Sequence, residues 1–140
     1  MSDADRVRIV RPGETYEGAQ GVVYGRGPSR GNVGAEMVCM AIMPMPPGAR
    51  AKAHHHDGIE TIAYLMDGEC EVHYGDGLEH VMQVKAGEQT YIPGGVPHAP
   101  CNASGAPCTW IVVHGSGDDQ DGIVMLPELD AVLEARRPRR

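Results

Sequence analysis

At 140 residues the chain has room for one domain, 1–140, with one sizeable core. Twelve Lys and Arg stand against nineteen Asp and Glu, and the net charge of −7 argues against nucleic acid and anionic membranes as partners. Nineteen glycines and eleven prolines call for many turns, while one Trp, no Phe and eight Met leave an interior of Val, Ile, Leu, Met and Tyr.

The chain opens with acids and no apolar stretch over Met1–Arg6, which is not a signal-peptide pattern. No apolar run approaches bilayer length, so the expectation is a soluble, cytoplasmic protein. Val7–Val10 reads as a short strand, and Val22-Val23-Tyr24 as the strand signal of a glycine-rich stretch. Pro28–Asn32 reads as a loop. Ala35–Met45 is the first strong strand, mostly apolar on both faces: Met37, Cys39, Ala41, Met43 and Met45 share one parity, and Glu36, Val38, Met40 and Ile42 the other. Further strands follow over 49–56, 60–67, 69–74, 78–85, 89–92, 96–102 and 109–114, with a hairpin turn at Gly75-Asp76-Gly77. Gly115–Gly122 is acidic and glycine-rich, and a C-terminal helix is predicted over about 127–135, its stripe formed by Leu126, Leu129, Val132 and Leu133. The basic run Arg136–Arg140 reads as a solvated helix end opposing the negative pole of the helix dipole. Short strands with regular turns and one late helix predict an all-β sandwich or barrel.

The histidines carry the chemistry. In Ala53-His54-His55-His56-Asp57-Gly58-Ile59-Glu60 the period of two puts His54 and His56 on one face. Glu60 has the same parity if the backbone stays extended, and His98, after Pro93-Gly94-Gly95-Val96-Pro97, is the candidate fourth ligand. A triple histidine alone is equally a polar strand; the second stretch raises the reading to a metal site. His73, His80 and His114 are single strand histidines, read as surface or core residues, while Tyr64 and Tyr91 are within possible reach of a cavity. None of Cys39, Cys70, Cys101 and Cys108 forms a CxxC pair, which argues against structural zinc, and Cys101 and Cys108 flank a hairpin across which a bridge is geometrically open. In a reducing cytosol free thiols are the expectation.

Together the two stretches resemble the cupin family. The first motif appears as Gly48, His54, His56, Glu60 and Gly68, and the second as Gly87, Pro93, Gly95, His98 and Asn102, so the motif core spans 48–102. One departure stands out: seven residues, not six, separate Glu60 from Gly68. Either a bulge absorbs the extra residue and Glu60 ligates, or Thr61 takes its register and the site has three histidines without a carboxylate. The resemblance implies a jelly-roll barrel, the double-stranded β-helix, with a short C-terminal helix. It also implies one divalent transition metal ion (Fe, Mn, Ni, Co or Zn) held by His54, His56, Glu60 and His98. Pro93 and Gly95 are expected to shape the corner that aims His98, and Asn102 to hold a turn.

Four ligands on an octahedral ion leave two open positions, which suits oxygen chemistry and Lewis-acid work alike. The first functional expectation is therefore a metal-dependent oxidoreductase of dioxygenase type acting on a small organic molecule. A redox-neutral isomerase or lyase, with Glu71 or His73 as candidate base, is the second, and a non-catalytic small-molecule-binding cupin the third. The apolar Ala35–Met45 strand predicts a homodimer.

Overall fold

A computed structural model describes residues 1–136 of the chain. Its strands are β1 (Thr15–Glu17), β2 (Val23–Arg26), β3 (Cys39–Met45), β4 (His54–His56), β5 (Thr61–Asp67), β6 (Glu69–Tyr74), β7 (His80–Lys85), β8 (Gln89–Ile92), β9 (His98–Cys101), β10 (Cys108–His114) and β11 (Ile123–Met125). Its α-helices are α1 (Arg30–Val33) and α2 (Pro127–Arg136). The strands form two antiparallel sheets, one of six in the order β1-β2-β3-β10-β5-β8 and one of five in the order β11-β4-β9-β6-β7. This is the expected jelly roll, built as two facing sheets rather than a closed ring.

The core lies between the sheets because the strands alternate. On β3 the pattern is strict: Cys39, Ala41, Met43 and Met45 are buried, and the residues between them are exposed. On β10 Cys108, Trp110, Val112 and His114 face inward in the same way. Met45, Leu65 and Trp110 from the larger sheet meet Cys70, Val72 and Val84 from the smaller. Each large apolar side chain so buried contributes about 1.5–3 kcal/mol.

Helix α2 packs on the outside of the five-stranded sheet, where Leu133 joins Ala53, Leu78 and Ala99, with Leu126 and Leu129 beside them. Leu126, Leu129 and Leu133 of the predicted stripe thus pack here. The helix also fixes the entry to β4, since Asp130 Oδ1 accepts from the Ala53 amide at 2.7 Å and the Leu126 amide donates to Ala53 O at 3.0 Å.

Several local expectations differ from the structure. Val7–Val10 forms no strand. The loop at Pro28–Asn32 contains the start of α1, one turn closed by a reciprocal Ser29–Asn32 capping box. β11 emerges from the glycine-rich stretch and pairs along β4, Ile123 with His56 and Met125 with His54. Cys101 and Cys108 are not bridged, in line with the thiols expected in a reducing setting. Tyr64 and Tyr91 lie exposed on the outer face and do not reach the interior. Of the basic run, Arg137–Arg140 lies outside the described residues. Among the described residues no helix is long and apolar enough to cross a membrane.

Candidate metal centre

The site forms where β4 and β9 run side by side, with His54 opposite His98 in register. His54 and His56 share the inner face of β4 as their parity requires, and His55 between them is only half-buried. The second stretch is pinned to the first by backbone bonds. The Gly95 amide donates to His56 O at 2.9 Å, and Gly95 has φ +80°, a left-handed conformation that a side chain would strain. This corner aims His98 at β4.

One nitrogen from each of His54, His56 and His98 lies within 4.8 Å of the others, and all three residues are buried. Ring centroids are 4.4 Å apart for His54–His98, 5.2 Å for His54–His56 and 6.0 Å for His56–His98. Their outer nitrogens settle the tautomers. His54 Nδ1 meets Lys52 O at 2.7 Å, His98 Nδ1 meets Val96 O at 2.9 Å, and His56 Nδ1 meets Asp121 O at 3.3 Å. A carbonyl only accepts, so each Nδ1 carries the proton and each Nε2 keeps its lone pair for the cavity. Burial, reinforced by neighbouring imidazoles, holds His54 well below the usual histidine range and His98 at about 4. Burial also lowers His56. The rings are therefore neutral at pH 7, the form that ligates. These donors fit a divalent transition ion, whose bonds to imidazole run about 2.0–2.1 Å.

The acidic loop after β10 has a structural job here. Its Asp121 pairs with Arg30 of α1 through two bonds, at 2.6 and 3.2 Å, while its backbone carbonyl receives His56. The Asp57 amide donates to Gly122 O at 2.7 Å and ties the same loop to the end of β4.

Of the four residues named from sequence, the structure brings three together. Glu60 is exposed, and its carboxylate accepts from the Tyr91 hydroxyl at the surface. Thr61 faces inward in its place, 3% exposed, and its Oγ1 lies 2.7 Å from Nδ1 of His114 on the neighbouring strand. His114, read from sequence as a bystander, is buried with its ring centroid 4.6 Å from that of His56. The overlooked signal was parity, since His114 continues the inward row Cys108, Trp110, Val112. Glu71 and His73, the candidate bases, bond to each other at 3.0 Å beside a separate groove under α2 that holds none of the clustered histidines.

The cavity at the histidines measures about 50 Å³ and is lined mainly by apolar groups, among them Met43, Val72, Ile92, Trp110 and Val112. Among the described residues no Asp, Glu, Lys or Arg lines it. A water needs roughly 10–15 Å³ of such space, so an ion and only a few further atoms fit.

The cupin-domain family model matches residues 41–114, a stretch holding all the clustered histidines. The chain is a cupin. Oxalate oxidase in complex with the substrate analogue glycolate is similar at 28% identity and a TM-score of 0.57, over 64% of this chain and 46% of that one. A protein from Thermus thermophilus is 28% identical, with a TM-score of 0.54 over 59% of this chain and 75% of the other. A predicted oxalate decarboxylase from Thermotoga maritima shares the fold, with 22% identity and a TM-score of 0.61 over 84% and 94% of the two chains. This cupin thus spans under half the length of the oxalate oxidase. No curated protein matches its sequence.

The lowered histidine pKa values predict a pH dependence for the metal-free cupin. The unfolded imidazoles, near 6.5, bind protons before the folded ones do. Stability is therefore complete above about pH 6.5 and falls as the pH drops towards about 4, where His98 itself protonates. Chemical denaturation in a pH series, with chelator present, is expected to show this loss; a midpoint unchanged between pH 7 and 4.5 would contradict it.

Proposed function

We propose that this cupin is a metal-dependent oxidoreductase, of oxidase or dioxygenase type, acting on a small carboxylate-bearing molecule. The observation that carries the reading is the convergence of three neutral imidazoles on a small cavity without charged walls. His54, His56 and His98 would hold the ion, which supplies Lewis acidity and access to oxygen chemistry. With neutral ligands the charge of a divalent ion is uncompensated in a low-dielectric pocket, which favours an anionic substrate. The protein's part is to hold the three rings through carbonyls, to exclude bulk water with Met43, Val112 and Trp110, and to limit substrate size. The likeness to an oxalate oxidase seen with glycolate supports the same class.

The test is oxygen uptake by protein loaded separately with Mn(II), Fe(II), Ni(II), Co(II) and Zn(II), offered two- and three-carbon hydroxy, keto and dicarboxylic acids. Uptake with a small acid and none with a flavonol is expected. No uptake under any combination would overturn the reading. Turnover that survives zinc and the absence of air would favour an isomerase or lyase instead, and stabilisation without turnover a binding protein. The free thiols of Cys39, Cys70 and Cys108 are in keeping with a cytoplasmic setting, which we propose with it.

We also propose that two copies pair through the outer face of the six-stranded sheet. There Ile42, Ile111 and Tyr64 lie side by side across three strands, and Met40, Val113 and Ile62 form a parallel row. Contiguous apolar rows of this kind mark association surfaces. Ile62 is 53% exposed, so Ile62→Arg is expected to leave folding intact and convert a sedimenting dimer to monomer. A wild type that sediments as a monomer would refute the pairing.

A further inference from the structure

We infer that His114 is the fourth ligand of the site and that Thr61 positions it, so that the ion is held by imidazoles alone and Glu60 takes no part. This rests on the metal reading above and extends it to residues outside the two sequence motifs. The geometry begins with register: Thr61 pairs with His114 across β5 and β10. Thr61 is 3% and His114 4% exposed, while Glu60, one residue earlier, turns to the surface. A threonine hydroxyl is too short to stand in for a glutamate carboxylate. It does reach the next strand, where it meets His114 Nδ1 at 2.7 Å.

That contact repeats what the other three rings show. All four histidines lining the cavity have Nδ1 engaged by an oxygen, three by main-chain carbonyls and one by the Thr61 hydroxyl. When His114 donates Nδ1–H to Thr61 Oγ1, its Nε2 carries the lone pair, as in its neighbours. An oxygen partner on the outer ring nitrogen is the usual support of a ligating histidine. The His114 ring packs on the His56 ring at 4.6 Å between centroids and lines the same cavity, outside the 4.8 Å cluster of the other three. Closing onto an ion then asks for rotation about a side chain already pivoted on Thr61.

The experiment is long-range proton–nitrogen NMR of the histidine-labelled full chain before and after one equivalent of Zn(II), with affinities from chelator competition. Four Nε2 resonances are expected to move, those of His54, His56, His98 and His114, each assigned by its own substitution. His114→Phe, which fills the space without a donor atom, is expected to weaken zinc binding at least tenfold. Thr61→Val, which removes only the acceptor, is expected to weaken it less and to alter the tautomer signature of His114. Glu60→Gln is expected to leave affinity within threefold. Metal-free melting of each variant separates folding from ligation. Three moving resonances with unchanged affinity in His114→Phe would overturn the inference and leave the three-histidine site standing. A large loss in Glu60→Gln with none in His114→Phe would also overturn it. No zinc-induced movement at all would remove the metal site itself and the inference with it.

Discussion

Replacing His98 with alanine is expected to abolish tight binding of a divalent transition ion and, with it, any turnover. His98 joins the two rings of β4 from a different strand, and it stands opposite His54 in the strand pairing. Its loss breaks the cluster that it forms with His54 and His56. Outer-sphere partners of metal sites already cost about 10–100-fold in affinity when removed, so loss of a direct ligand should exceed about a hundredfold. The thermal shift makes the cleanest readout. At an ion concentration a hundred times its Kd, the wild type gains about 2.7 kcal/mol from binding, and the variant should gain less than about 0.4 kcal/mol. The metal-free variant should still fold, because the lost Nδ1 bond to Val96 O and the lost volume are local. His80→Ala, on an exposed strand position, is the matching control and should behave as wild type. A His98→Ala protein that keeps its metal-induced stabilisation would defeat the whole assignment.

The second large effect falls on folding. Asn102 is 1% exposed and joins two turns: Nδ2 donates to Met45 O at 2.9 Å, Ala106 O at 2.8 Å and, more weakly, Pro46 O at 3.2 Å. Its Oδ1 accepts from the Ser104 amide at 3.1 Å and the Ser104 hydroxyl at 2.7 Å. Its backbone exchanges two further bonds of 2.8 Å with Gly48 and Ala49. Asn102→Ala strands several buried polar groups at roughly 1–3 kcal/mol each, so a net loss of about 3 kcal/mol is expected. For a chain of this size that is a fall of about 10 °C in Tm. Asn102→Asp should be worse, since a carboxylate would face three carbonyls with no hydrogens to give them. Equal stability of Asn102→Ala and wild type would show that water replaces the amide at no cost.

Much of this was legible from residue order. Alternation alone fixed which face of β3 and β10 is buried, and the parity of His54 and His56 held because β4 is extended through all three residues. The same argument failed for Glu60 for a definite reason. Between His56 and Thr61 the chain is not extended: Gly58 has φ +68°, and the Ile59 amide turns back to His56 O at 3.4 Å. A parity count cannot cross a turn, and the extra residue before Gly68 was its only trace. His114 was hidden differently. Parity puts it on the inward row of β10, but only the neighbouring strand, placed by tertiary pairing, shows that it meets Thr61. α1 and β11 were missed because one helical turn and three strand residues are too short to carry a period.

The carbonyl cradle behind the rings has one more consequence. His54, His56 and His98 lean on peptide oxygens rather than on acids, so no carboxylate is bonded to the rings that would hold the ion. Added electrolyte therefore has no ion pair to loosen at the rings, and retention of the ion should vary little between dilute buffer and molar sodium chloride. The imidazoles also reach their working orientation while the protein folds. Cations of similar radius are then distinguished less by shape than by how much of each the surrounding medium offers.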